Sequence, residues 1–166
     1  GSKALIYALL LILEGDLILP RPAWVSYQTQ ARLVGKRVEW IATRPEEQHR
    51  FSITTLHETR ERSRATWGNP QILLLNSPNN PTGQMLHCGQ LEEIARYARE
   101  HELILLSDEI YGLTSYEQNT HVSIAREYPE GTVVLGGLSK HLSLGCWRLG
   151  VALVPQGEAG KRLIRA

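Results

Sequence analysis

The amino-acid sequence predicts an α/β fold, a three-layer α/β/α arrangement around a mostly parallel sheet. Two observations carry this expectation. Runs 72–75 and 103–106 are continuously apolar, not alternating, as strands buried on both faces are, and Thr132-Val133-Val134-Leu135 is a third β-type run. Segments of helical periodicity separate the strand-like runs, and strands alternating with helices join through right-handed crossovers into one layered sheet.

In chain order, Ser2 is expected to cap a helix whose positions 4–13 are apolar on every side, so that helix should be buried. Glu14-Gly15-Asp16 ends it, and 17–19 forms a short buried strand closed by Pro20 and Pro22. A second helix spans 24–34 and stops at Gly35, while 37–41 alternates like a strand. Residues 43–69 are polar and turn-rich, a loop followed by a solvated helix near 55–64. The charges Glu58, Arg60, Glu61, Arg62 and Arg64 of that helix read as a wet face. After the strand at 72–75 comes a turn over 76–83, then a helix over 91–100 with Leu91, Ile94, Ala95 and Ala98 on one side. Strands at 103–106 and 132–135 follow, then a further apolar run over 149–154. The chain begins inside one helix and stops as another starts at 161–166. That predicts a piece of a longer protein.

Composition bounds the function. At 166 residues the chain suits about one domain. A formal net charge of +1 lacks the basic excess that nucleic acid or an anionic membrane selects, so neither partner is expected. The longest apolar run, 4–13, is about half of the ~20 residues a membrane span needs, and no processing site follows it. Cys88 and Cys146 make neither a disulfide framework nor a metal spacing, and the histidines are scattered. A reducing, cytoplasmic compartment and no metal site are expected.

In sheets of this class ligands sit beyond the carboxyl ends of the strands. The turn 76–83 follows one strand, Asp108 follows the next and Lys140 follows a third, so they should converge. Lys140 could form a Schiff base with a cofactor, its amine activated by partial desolvation and nearby cations. Asp108 could keep a pyridine nitrogen protonated, and Tyr111 and Asn80 could both reach the ring's phenolic oxygen. Trp24 could stack on that ring. The helix start at Gly1-Ser2-Lys3 offers free N–H groups to a phosphate, and the Arg148 fork could bind two of its oxygens. Taken singly, each has an ordinary alternative. Asp108 could cap a turn, Tyr111 could be half-buried packing, 79–83 could be mere punctuation, Trp24 could fill a core, and Arg148 and Lys140 could be solvated.

Ser77-Pro78-Asn79-Asn80-Pro81-Thr82-Gly83, Asp108 with Tyr111, and Gly137-Leu138-Ser139-Lys140 followed by Arg148 together resemble the class I/II aminotransferases of the fold-type I pyridoxal 5′-phosphate (PLP) enzymes. The resemblance implies that Lys140 carries the Schiff base and later shuttles a proton, and that Asp108 pairs with the pyridinium nitrogen. It further implies that Asn80 and Tyr111 bind the phenolic oxygen, Trp24 takes the stacking position, and Gly1, Ser2, Ser139 and Arg148 surround the phosphate. On this resemblance, 1–166 is the cofactor-binding large domain, and the small domain formed by both ends of the parent chain is absent, so this piece alone should lack activity. The substrates would be an amino acid and a 2-oxo acid, and the parent a homodimer. Two departures stand out. Gly137 replaces a frequent serine, and Cys146 stands where a glycine is usual and the backbone is tight. The same cofactor set would also serve a PLP-dependent carbon–sulfur lyase or related elimination or cyclisation enzyme, or a non-enzymatic PLP-binding effector domain of a transcription regulator.

Overall fold

The computed structural model describes residues 1–66, 70–114, 116 and 120–165. Residues 67–69 of the polar stretch and Ala166 of the terminal helix lie outside the described residues. The elements in order are α1 (Ser2–Ile12), β1 (Asp16–Pro20), α2 (Val25–Leu33), β2 (Val38–Ile41), α3 (Ile53–Thr66), β3 (Pro70–Asn76), α4 (Cys88–Glu100), β4 (Ile104–Asp108), β5 (Thr132–Gly137), β6 (Gly150–Leu153) and α5 (Glu158–Arg165).

The strands form one sheet in the order β2-β1-β3-β4-β5-β6. The first five run parallel and β6 is antiparallel to β5, so the sheet is mostly parallel, as expected. Burial explains the difference. β4 is buried almost throughout, whereas β6 alternates between half-buried and exposed residues, the pattern of an edge strand with one solvated face.

Side-chain alternation along the strands builds the three layers. Leu73 and Leu75 of β3 point into one core with Leu56 of α3 and Leu91, Ile94, Ala95 and Ala98 of α4. Ile72 and Leu74 point into the other with Ile6, Leu9 and Leu10 of α1 and Tyr27 and Ala31 of α2. Burying each leucine or isoleucine among these contributes about 1.5–3 kcal/mol.

Three expectations are corrected. Helix α1 is buried on one face only. Ile6, Leu9, Leu10 and Leu13 meet the sheet, while Leu11 is 60% exposed, because an outer-layer helix touches the sheet along a single stripe. Ser2 does not cap it. Gly1 holds that position, with no side-chain hydrogen bond. The charged face of α3 is wet at Glu58, Arg62 and Arg64, but the Arg60 side chain is only 12% exposed. Among the described residues, no helix is long and apolar enough to cross a membrane.

Candidate cofactor site

Strand register sets the floor of the site. Asn76, the last residue of β3, pairs with Asp108, the last of β4, which in turn pairs with Leu135 of β5. These carboxyl ends open into a cavity of about 280 Å³. All of the predicted residues line it: Gly1, Ser2, Trp24, Asn80, Asp108, Tyr111, Ser139, Lys140 and Arg148. A second cavity of about 490 Å³ adjoins it and shares Asn80 and Tyr111.

Asp108 lies at the bottom, 2% exposed. Its Oδ2 accepts a hydrogen bond of 2.7 Å from Tyr27 Oη, and its Oδ1 accepts one of 3.2 Å from the Ile110 amide. The latter is a turn contact, so the ordinary reading of Asp108 is realised at one oxygen. Burial pushes the carboxyl above its ordinary range, the two hydrogen bonds pull it down, and the Glu109 charge adds a smaller upward push. Burial, followed by the Asp108 charge, also pushes the Tyr27 hydroxyl well up, so it stays protonated and donates.

The sequence reading missed Tyr27 and Asn76. Tyr27 lies one turn after Trp24 on α2, and its ring meets the Trp24 ring edge-on, with centroids 5.3 Å apart. Trp24 is half-buried, lining the cavity while also packing against the core beneath α1 and α2. Asn76 ties three segments together. Its Nδ2 donates to the Asp108 carbonyl at 2.8 Å, and its Oδ1 accepts from the Asn80 amide at 2.7 Å. The turn is further set by Asn79 Oδ1, which accepts from the Thr82 amide and hydroxyl. Asn80 Nδ2 consequently faces Tyr111 Oη at 3.4 Å.

The opposite wall is cationic. Lys140 Nζ stands 5.4 Å from the centre of the Tyr111 ring, an attractive cation–ring contact. Lys140 is exposed, so the expected partial desolvation is corrected. Its loop lies on the cavity rim. Arg148 Nη1 donates to the Gly145 carbonyl at 2.8 Å, and a Cβ on Gly1 would come within 3.1 Å of Arg148 Nη2. The guanidinium therefore sits over the amino end of α1, which buried Gln30 fixes by donating to the Lys3 carbonyl at 2.8 Å.

Both departures have structural accounts. Gly137 and Gly150 are paired across β5 and β6. A Cβ at Gly137 would lie 2.8 Å from the Leu149 carbonyl oxygen, and one at Gly150 would lie 2.6 Å from backbone of Gly1. The glycine pair lets β6 press against β5 and against the start of α1. Cys146 is exposed, so the crowding expected there is absent.

The arrangement sets a buried carboxylate, an amide, a phenol, an amine and a guanidinium around one cavity. Compared with known proteins, the chain matches the family Aminotransferase class I and II over residues 1–166. It is 35% identical over 158 residues to an aspartate aminotransferase of Bacillus sp. (strain YM-2), covering 92% of this chain and 39% of that protein. It is 37% identical to an aspartate/prephenate aminotransferase of Thermus thermophilus, covering 94% of this chain and 39% of that one. Among solved structures, an aspartate aminotransferase from Thermus thermophilus with maleate superposes with a TM-score of 0.85 at 35% identity, covering 99% of this chain and 41% of its own. The chain thus spans about two fifths of the length of these relatives.

Proposed function

The chain belongs to the class I and II aminotransferases, and on that premise we propose that it forms the large, cofactor-binding domain of a PLP-dependent enzyme. That enzyme moves an amino group between an amino acid and a 2-oxo acid. The observation that carries the reading is Asp108, a carboxylate 2% exposed whose hydrogen-bond donors, Tyr27 and Ile110, are both uncharged. A buried carboxylate of this kind is costly unless a cation meets it, and a protonated ring nitrogen is such a cation.

The other lining residues fit the same group. Asn80 and Tyr111 would donate to its phenolic oxygen, and Trp24 would hold the ring plane. The start of α1, with Gly1 and Ser2, would join Ser139 and Arg148 around the phosphate, where helix N–H groups and a guanidinium fork both suit an anion. When bound, PLP supplies an electron sink for charge developing at the substrate Cα. Asp108 would hold the proton on the ring nitrogen. Lys140 would anchor the cofactor and, once freed, carry the proton between the substrate Cα and the cofactor carbon, the work of a positioned general base. Its exposure at the rim leaves room for a substrate amine to reach it.

The reading extends to partners. Leu142, Trp147 and Leu149 flank the Lys140 loop and are 53%, 68% and 47% exposed, which supports a second copy of the chain covering this rim. A cytoplasmic location accords with two free, exposed cysteines.

Titrating PLP into the purified full-length parent protein tests the reading. The wild type should acquire a visible absorbance band that survives gel filtration, and Lys140→Ala should lack it. A wild type that leaves PLP free, or a band unchanged in Lys140→Ala, would overturn the assignment.

A further inference from the structure

Beside Asp108, on the other side of the strand end, lies a polar cluster that the proposed chemistry does not use. Glu109 Oε1 accepts from Ser107 Oγ at 2.8 Å and from Ser123 Oγ at 2.6 Å, and Glu109 Oε2 meets His121 Nε2 at 2.9 Å. The Glu109 and His121 side chains are only 11% and 12% exposed. Burial alone would push the Glu109 carboxyl up. The hydrogen bonds from His121, Ser123 and Ser107 outweigh burial and hold it below its ordinary range, so it remains an anion.

The cluster spans the turn that carries Tyr111. The Glu109 amide donates to the Leu135 carbonyl of β5, and its own carbonyl accepts from the Gly112 amide, both at 2.8 Å. The His121 ring lies against Gly112, where a Cβ would come within 2.8 Å of His121 Cδ2. Ser123 in turn caps the short helix Ile124–Arg126, whose Ile124 is in the core with Leu75 and Leu105. A chain of contacts therefore runs from the core, through Ser123, Glu109 and His121, to the backbone on both sides of Tyr111.

We propose that Glu109, held by Ser107, Ser123 and His121, is a positioning residue that clamps the turn after β4 and so fixes Tyr111 and Asp108 at the cofactor cavity. The clamp faces away from the cavity and touches no cofactor. It acts through the turn backbone. Its consequence for cofactor binding rests on the PLP reading above, whereas the clamp itself does not.

Two measurements separate these. Hydrogen exchange in the cofactor-free protein reads the clamp through the amides of Ile110, Gly112 and Thr114, each hydrogen-bonded within the turn. Glu109→Ala should raise exchange there by about tenfold and leave the β1 amides unchanged. PLP titration reads the consequence. Glu109→Ala should weaken binding by about tenfold, and the loss should shrink to under about threefold in a Tyr111→Phe background, because coupled residues are not additive. Glu109→Gln keeps an oxygen for the two serines and a donor for His121, so it should recover most of the affinity. Should Glu109→Ala fail to fold, Ser123→Ala removes one bond and should shift both readouts the same way by a smaller factor. Raised exchange in a wild type that binds no PLP would sink the cofactor reading and leave the clamp standing. Unchanged exchange, or an affinity loss fully additive with Tyr111→Phe, would overturn the clamp.

Discussion

Tyr27→Phe deletes one oxygen and leaves the ring that packs against Trp24. The deleted hydroxyl is 2.7 Å from Asp108 Oδ2, in a place where Tyr27 is 1% and Asp108 2% exposed. A hydrogen bond to a charged group contributes about 1.5–3 kcal/mol, against about 0.5–1.5 kcal/mol for a neutral pair. For a chain of this size each kcal/mol moves Tm by roughly 2–4 °C, so the cofactor-free variant should melt roughly 3–12 °C lower at neutral pH. The pH dependence adds a second signature. The Asp108 carboxyl is raised in the folded protein, chiefly by burial, so the fold retains a proton after the unfolded chain has lost it. Stability from this group is full below the ordinary carboxylate range and is lost as pH rises through the raised folded value. Tyr27 opposes that loss by favouring the anion, so its removal should steepen the fall and should cost least in acid, where Asp108 is protonated. Thermal melts of both proteins from acid to neutral pH provide the assay. Equal losses at both ends, or a Tm unchanged within about 1 °C, would refute the coupling.

Gly137→Ser should destabilise by about 1–3 kcal/mol in denaturant melts, because its Cβ would come within 2.8 Å of the Leu149 carbonyl oxygen. Asn76→Ala strips hydrogen bonds from the Asp108 carbonyl and the Asn80 amide. It should cost about 1–3 kcal/mol and weaken PLP binding in the same titration. Arg148→Lys keeps the charge and loses the fork, so PLP affinity should fall by about tenfold, with Tm nearly unchanged because Arg148 is exposed.

The sheet was legible because buried parallel strands advertise themselves as apolar, β-branched runs, and each predicted run overlaps an observed strand, with Leu103 one residue ahead of β4. Placing Asp108, Asn80 and Lys140 near one another needed only the rule that ligands sit at strand ends. What stayed hidden depends on contacts between distant positions. Tyr27 and Asp108 are 81 residues apart, and nothing in Val25-Ser26-Tyr27 marks that hydroxyl as the donor to a carboxylate on β4. Helix α1 shows the converse. Its apolar run states which side chains tolerate burial, but only packing decides that Leu10 is covered and Leu11 is left 60% exposed. Arg60 was read as solvated by its charge alone, and its position on α3 buries most of its side chain.

Asp108 and Glu109 show why a motif read as a string understates its chemistry. They are adjacent carboxylates at one strand end, yet strand alternation sends them to opposite sides. Asp108 enters the cavity with two uncharged donors, and burial prevails, so its carboxyl is raised. Glu109 turns away toward two serines and a histidine, and there the hydrogen bonds prevail, so its carboxyl is lowered. Two carboxylates whose surroundings push them apart take different roles. The raised one carries a burial cost that a cation at its free side would relieve, as the proposed ring nitrogen would. The lowered one is already satisfied by its neighbours, which suits a fixed anchor. The exchange experiment on Glu109 and the melts on Tyr27 therefore test two halves of one arrangement, the cavity floor and the proposed clamp behind it.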